Sequence, residues 1–145
     1  MTTTESGCSL QIKRTFAASP ERVFRAWTDP AAMRIWFAPG DYTVPEAEAE
    51  LGPGGRYRVQ MRAPNGNLHE VTGTYKEVDP PRRLVFSWAW VSNPAVEMLV
   101  TVEFRASGEE TEVTLTHERL PDEESRRRHE QGWIGCLAKL PAALA

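Results

Sequence analysis

Cysteine is scarce in this chain of 145 residues: there are two, Cys8 and Cys136, far apart and outside any C-x-x-C pair. Neither a disulfide framework nor a thiolate metal site follows from that spacing, and both residues read as reduced, small hydrophobes. Long apolar runs are missing too, and nothing approaches the ~20 residues that span a bilayer. The amino terminus, MTTTESGC, carries no basic head and no apolar stretch, so no signal peptide is expected and the cytoplasm is the default location. There is no excess of positive charge: 17 basic against 20 acidic side chains leave a net charge of -3. That balance argues against nucleic-acid and anionic-membrane partners, which call for clustered Lys and Arg. Histidine is rare as well. His69, His117 and His129 stand alone in sequence, none in an H-x-x-x-H or H-E-x-x-H arrangement. No Ser-His-Asp pattern and no phosphate-cradling glycine loop is readable, and GPGG at 52–55 reads as a turn, so no metal and no cofactor is expected.

What is present is a change of period along one domain, residues 1–145. CSLQIKRTF (8–16) alternates Leu10 and Ile12 with Gln11 and Lys13, as a half-buried strand does. In SPERVFRAWTDP, Ser19 and Asp29 are good N-caps, each followed by a proline suited to the first helical position. Two short helices bent at Pro30 are predicted, the second stopped at Ala38-Pro39-Gly40. From Tyr42 to Glu118 the period becomes two, broken by turn signals at 52–55, Pro64-Asn65-Gly66, Asp79-Pro80-Pro81, Ser92-Asn93-Pro94 and Ser107-Gly108. About seven strands are expected, the first set apart from a meander of the rest. Residues 122–144 form the longest helical segment, capped by Asp122, with His129, Trp133, Cys136, Leu137 and Leu140 on one stripe. Pro141 is expected to end or kink it. Gly132 and Gly135 inside this helix each cost ~1 kcal/mol relative to Ala, which suggests close packing or a bend beside Trp133. The layout is α+β: a curved antiparallel sheet whose amphipathic face only the last helix is long enough to cover.

That order, together with RTFAASPERVFRAWTDPAAMRIWFAP, LGPGGRYRVQMRAPNG, VTGTYKEVDPPRRLVFSW and TEVTLTHERLPDEESRRRHEQGWIGCLAKL, resembles the bacterial homologues of the activator of the ninety-kilodalton heat-shock protein's ATPase. This AHSA-like family lies in the START-like (SRPBCC) superfamily. The resemblance covers nearly the whole chain. It implies a helix-grip fold with a cavity between sheet and helix, and says far less about chemistry.

LVFSWAWV (84–91) then gains meaning: Leu84, Phe86, Trp88 and Trp90 share one strand face, and Ser87 and Ala89 are expected outward. The inward groups are unusually aromatic, and rings that large either pack on one another or wall a pocket. The expected ligand-binding set is Trp36, Phe37, Tyr57, Met61, Tyr75, Phe86, Trp88, Trp90, His117, His129, Trp133 and Leu137. Strand parity turns His117 inward, and His129 lies one helical turn before Trp133; His69 reads as surface or rim. The ladders Glu46, Glu48, Glu50 and Arg56, Arg58, Arg62 read as a solvated outer face. The function expected is binding of a small apolar or aromatic molecule, with no catalytic residue assigned. Two alternatives remain open: a chaperone-binding module of the stress response, implied by the resemblance, and a cyclase- or hydrolase-like enzyme using His117 with Tyr57 or Tyr75. Monomer and homodimer are equally compatible with the sequence.

Overall fold

The computed structural model describes residues 8–144. Along the chain run β1 (Cys8–Phe16), α1 (Pro20–Thr28), α2 (Pro30–Trp36), β2 (Thr43–Ala49), β3 (Arg56–Arg62), β4 (Leu68–Asp79), β5 (Arg83–Trp90), β6 (Met98–Ser107), β7 (Glu110–Leu120) and α3 (Glu123–Ala143). The strands form one antiparallel sheet in the order β1-β7-β6-β5-β4-β3-β2. The helix pair carries the chain from one sheet edge to the other, and α3 then packs on α2, β1 and β7. Among the described residues no helix is long and apolar enough to cross a membrane.

Helix starts follow the capping chemistry. Side-chain oxygens of Ser19, Asp29 and Asp122 accept the backbone N–H of Arg22 (3.3 Å), Ala31 (3.1 Å) and Ser125 (2.8 Å). α3 runs on through Pro141 to Ala143, so that proline does not stop it. On the outer sheet face Arg58 alone joins the two charge ladders, reaching Glu46, Glu48 and Glu70 at 2.8–3.2 Å. Arg56 offers Glu50 only its backbone N–H.

Two irregularities set the site. Leu10 pairs with His117, yet Cys8 pairs with Leu120, so β7 holds one extra residue there. Arg119 absorbs it with φ 65, and this bulge lets both His117 and Leu120 point inward although they differ in parity. The second lies where β4 meets β5. The Thr74 N–H is taken by the Ser87 hydroxyl (2.9 Å), and the Ser87 carbonyl accepts the Tyr57 hydroxyl (2.6 Å). Ser87 is therefore buried at 2% exposure, contrary to the outward placement that simple alternation predicts. Gly73 makes this possible, because a Cβ there would stand 2.0 Å from the Ser87 carbonyl oxygen and 2.6 Å from the Tyr57 ring. Gly73→Ala should lower stability by about 1–3 kcal/mol, the range for overpacking a filled site. Chemical denaturation measures it, and a loss below about 0.5 kcal/mol would contradict this account.

Candidate ligand-binding site

The rings expected to line one tunnel separate into a filled half and an open half. In the filled half Trp27 stacks on Trp133 (5.8 Å, 28°) and Phe37 on Trp88 (6.0 Å, 20°), while Trp133 tilts against Trp88 at 5.1 Å. Tyr57, Tyr75 and Phe86 meet at 5.3–6.3 Å and close with Trp27, Met33 and Phe37 around a gap of about 10 Å³. That is at the margin for one water and excludes a ligand. Trp36 and Leu137 are buried in the same core, and the Trp36 indole N–H donates to the Ala26 carbonyl at 2.8 Å. Phe37, Tyr57, Tyr75, Phe86, Trp36 and Leu137 thus serve packing.

The open half is a cleft of about 970 Å³ along the first four turns of α3. Its floor and walls include Met61 of β3, Trp88 and Trp90 of β5, Met98 of β6, and His129 and Trp133 of α3. His69 lies on it and meets the Tyr42 ring at 6.1 Å, a rim position. The far rim is pinned by Lys139, whose ammonium donates to the carbonyls of Ala38 (2.6 Å), Gly40 (3.1 Å) and Tyr42 (3.1 Å). Three acceptors match its three N–H groups, so the loop carrying Pro39 and Tyr42 is held to the helix.

Two histidines brace the tryptophan wall. The Trp133 indole N–H donates to His117 Nδ1 (3.0 Å), and the Trp90 indole N–H donates to His129 Nε2 (3.0 Å). His129 Nδ1–H donates in turn to the Ser125 carbonyl at 2.8 Å. An indole nitrogen can only donate, so each imidazole nitrogen it meets must be unprotonated. Burial, and secondarily the neighbouring His129 ring 4.9 Å away, pushes His117 down to about 3. His129 is lowered by burial, against the Ser125 hydrogen bond. With both acceptor nitrogens occupied, neither ring offers a lone pair to a metal or a reacting proton. His117 is also wholly buried and off the cleft, and the Tyr57 hydroxyl is committed to Ser87. The pairing of His117 with Tyr57 or Tyr75 considered from sequence is not formed; its closest rings are Trp88, His129 and Trp133. Cys136 lines the cleft as a thiol, burial pushing it up to about 12.

The pattern of the family described as Activator of Hsp90 ATPase homolog 1-like protein matches residues 17–145. The chain belongs to this AHSA1-like family. A solved AHSA1 protein from Silicibacter pomeroyi is 30% identical, with a TM-score of 0.83 covering 94% of this chain and 97% of that one. A protein from Chromobacterium violaceum is 25% identical at a TM-score of 0.86, covering 94% and 96%. These neighbours share the α+β helix-grip architecture that the element order and the resemblance implied. The human "Activator of 90 kDa heat shock protein ATPase homolog 1" is 27% identical over 127 residues, 87% of this chain. The match spans 33% of that protein's length.

Several cleft residues carried no readable signal. Tyr42, Val96, Met98 and Arg128 come from loops, a strand and a helix that only the closed AHSA1-like fold brings together, and Arg127, which helical periodicity alone turns away from the apolar stripe, lines the cleft as well. The two helical glycines looked alike in sequence and differ in space. A Cβ on Gly135 would sit 3.0 Å from Pro39 Cβ, the close packing expected; a Cβ on Gly132 would meet nothing within 4 Å, contrary to that expectation.

Proposed function

We propose that this protein binds a small apolar or aromatic molecule in the cleft between β5 and α3. The observation that carries this reading is the cleft itself: about 970 Å³, walled by Trp88, Trp90 and Trp133 with Met61 and Met98 below. Small-molecule sites are concave, mainly apolar, of roughly 300–1,000 Å³, with a few polar groups at fixed places. The indole–imidazole bonds hold two wall rings in position before any ligand arrives, which lowers the ordering cost of binding. Titration with a panel of lipids, flavonoids and polyketides should shift the intrinsic tryptophan emission. Trp90→Ala is the informative variant, because Trp90 lies at the half-buried edge of the wall whereas Trp88 belongs to the core. It should weaken binding at least about tenfold, a loss of ~1.4 kcal/mol, while the fold persists. An unchanged emission across the panel would overturn the reading.

A chaperone partner is the second reading, supported by the name of the human relative and by 27% identity to it. Co-purification with the bacterial ninety-kilodalton chaperone and faster ATP turnover by that chaperone would support it. Unchanged turnover at saturating protein would remove it.

A further inference from the structure

Gly132 occupies the interior of α3, where glycine is a costly choice, and nothing in the packing requires it. Gly135 has a steric reason in Pro39 and Gly40; Gly132 has none, and it lies on the cleft. What it leaves is bare helix backbone beside Trp133, facing open space on the cleft.

One turn earlier on the same row stands Arg128, with Arg127 beside it, and both line the cleft. Among the described residues neither guanidinium has a carboxylate within 4.0 Å. Arg126, the first of the three consecutive arginines, is held between Glu123 (2.6 Å) and Glu130 (2.9 Å). Two carboxylates also reach the rim. Asp122 gives an oxygen to the Ser125 N–H at 2.8 Å in the helix cap, and Glu124 lies nearer the helix start than either arginine. The histidines on the cleft do not supply balancing negative charge. Between the cap and Gly132, the charged groups of α3 on the cleft are therefore Glu124 at the helix start and the two cationic donors nearer Gly132, with Ser125 and Gln131 uncharged beside them.

Resting on the binding proposed above, we infer that the ligand is a flat aromatic anion. Its ring lies over Gly132 against Trp90 and Trp133, and its carboxylate-like group meets Arg127 and Arg128. A planar guanidinium takes such a group through paired N–H donors. Gly132 then sets the size limit, since any side chain there occupies the ring's place.

Anilinonaphthalene sulfonate and its uncharged counterpart phenylnaphthylamine test this, because they share rings and differ in charge. The sulfonate should bind the native protein more tightly, and added salt should weaken only the sulfonate. The double variant Arg127→Ala/Arg128→Ala should weaken the sulfonate about tenfold and change phenylnaphthylamine less than about twofold. Gly132→Leu should abolish both, and Gly132→Ala should weaken both while raising the melting temperature, which separates blocking from unfolding. If the double variant leaves sulfonate affinity unchanged, or if Gly132→Ala and Gly132→Leu bind as the native protein does, the inference fails while binding in a cleft survives. If neither probe binds the native protein, the binding reading fails and takes this inference with it.

Discussion

Trp133→Ala is expected to reduce the free energy of unfolding by about 3–5 kcal/mol, the range for truncating a buried large ring. The side chain is 3% exposed and touches both halves of the aromatic core, stacked on Trp27 and leaning on Trp88 and Phe37. Its removal also strands the Nδ1 of a buried His117. Domains of this kind hold only about 5–15 kcal/mol in total, so the loss is a large share of the fold's stability. Trp133→Phe separates the two contributions. It keeps a ring in place and loses the indole donor, so it should cost less, about 1–3 kcal/mol. Urea titrations of both variants measure this; a Trp133→Phe loss equal to that of Trp133→Ala would mean the hydrogen bond, not the packing, dominates.

Mild acid should destabilise the protein through His117. Its folded value of about 3 lies below its ordinary value of 6.5, so between those limits the unfolded chain binds a proton that the native state refuses. Stability is then full above about pH 6.5 and falls as the pH drops, by about 1.4 kcal/mol per unit. The half-buried His129, lowered by its own desolvation, acts in the same direction. His117→Asn keeps an acceptor for the Trp133 indole and removes the titration. Comparing urea midpoints at pH 7.0 and 5.5, near-neutral conditions where most carboxylates stay ionised, the native protein should lose about 1 kcal/mol more than the variant. Equal losses in the two proteins would refute the assignment.

Much of this fold could be read from local rules. Ser19-Pro20 and Asp29-Pro30 announce their helices, and the alternation of Tyr57, Val59 and Met61 announces a strand, because each signal is contained within a few residues. Non-local adjustments escaped. Ser87 is buried because the β4–β5 ladder opens around Gly73, and strict alternation along β5 cannot see its neighbour. The bulge at Arg119 is silent for a similar reason: a residue in the left-handed region is usually Gly, Asn or Asp, and Arg gives no warning. In the candidate site, the aromatic richness was legible but its division was not. Phe86 and Tyr75 share the inward face with Trp88 and Trp90, yet Met33 of α2 and Phe37 just beyond it fill the space over Phe86 and Tyr75, Phe37 also stacks on Trp88, and Trp90 is left half-buried at the cleft.

The pairing of β1 with β7 has a consequence for how the molecule is made. Gln11 and Thr116, which share a hydrogen bond across these strands, are 105 positions apart, and β1 has no other neighbour in the sheet. The first of the described strands therefore pairs only with the last. Until β7 emerges, the amphipathic segment 8–16 stays unpaired, open to association with other chains, while the meander β2–β6 can already close locally. A contact this distant carries a larger closure entropy than the hairpins of the meander, and that entropy must be met before the pairing returns anything.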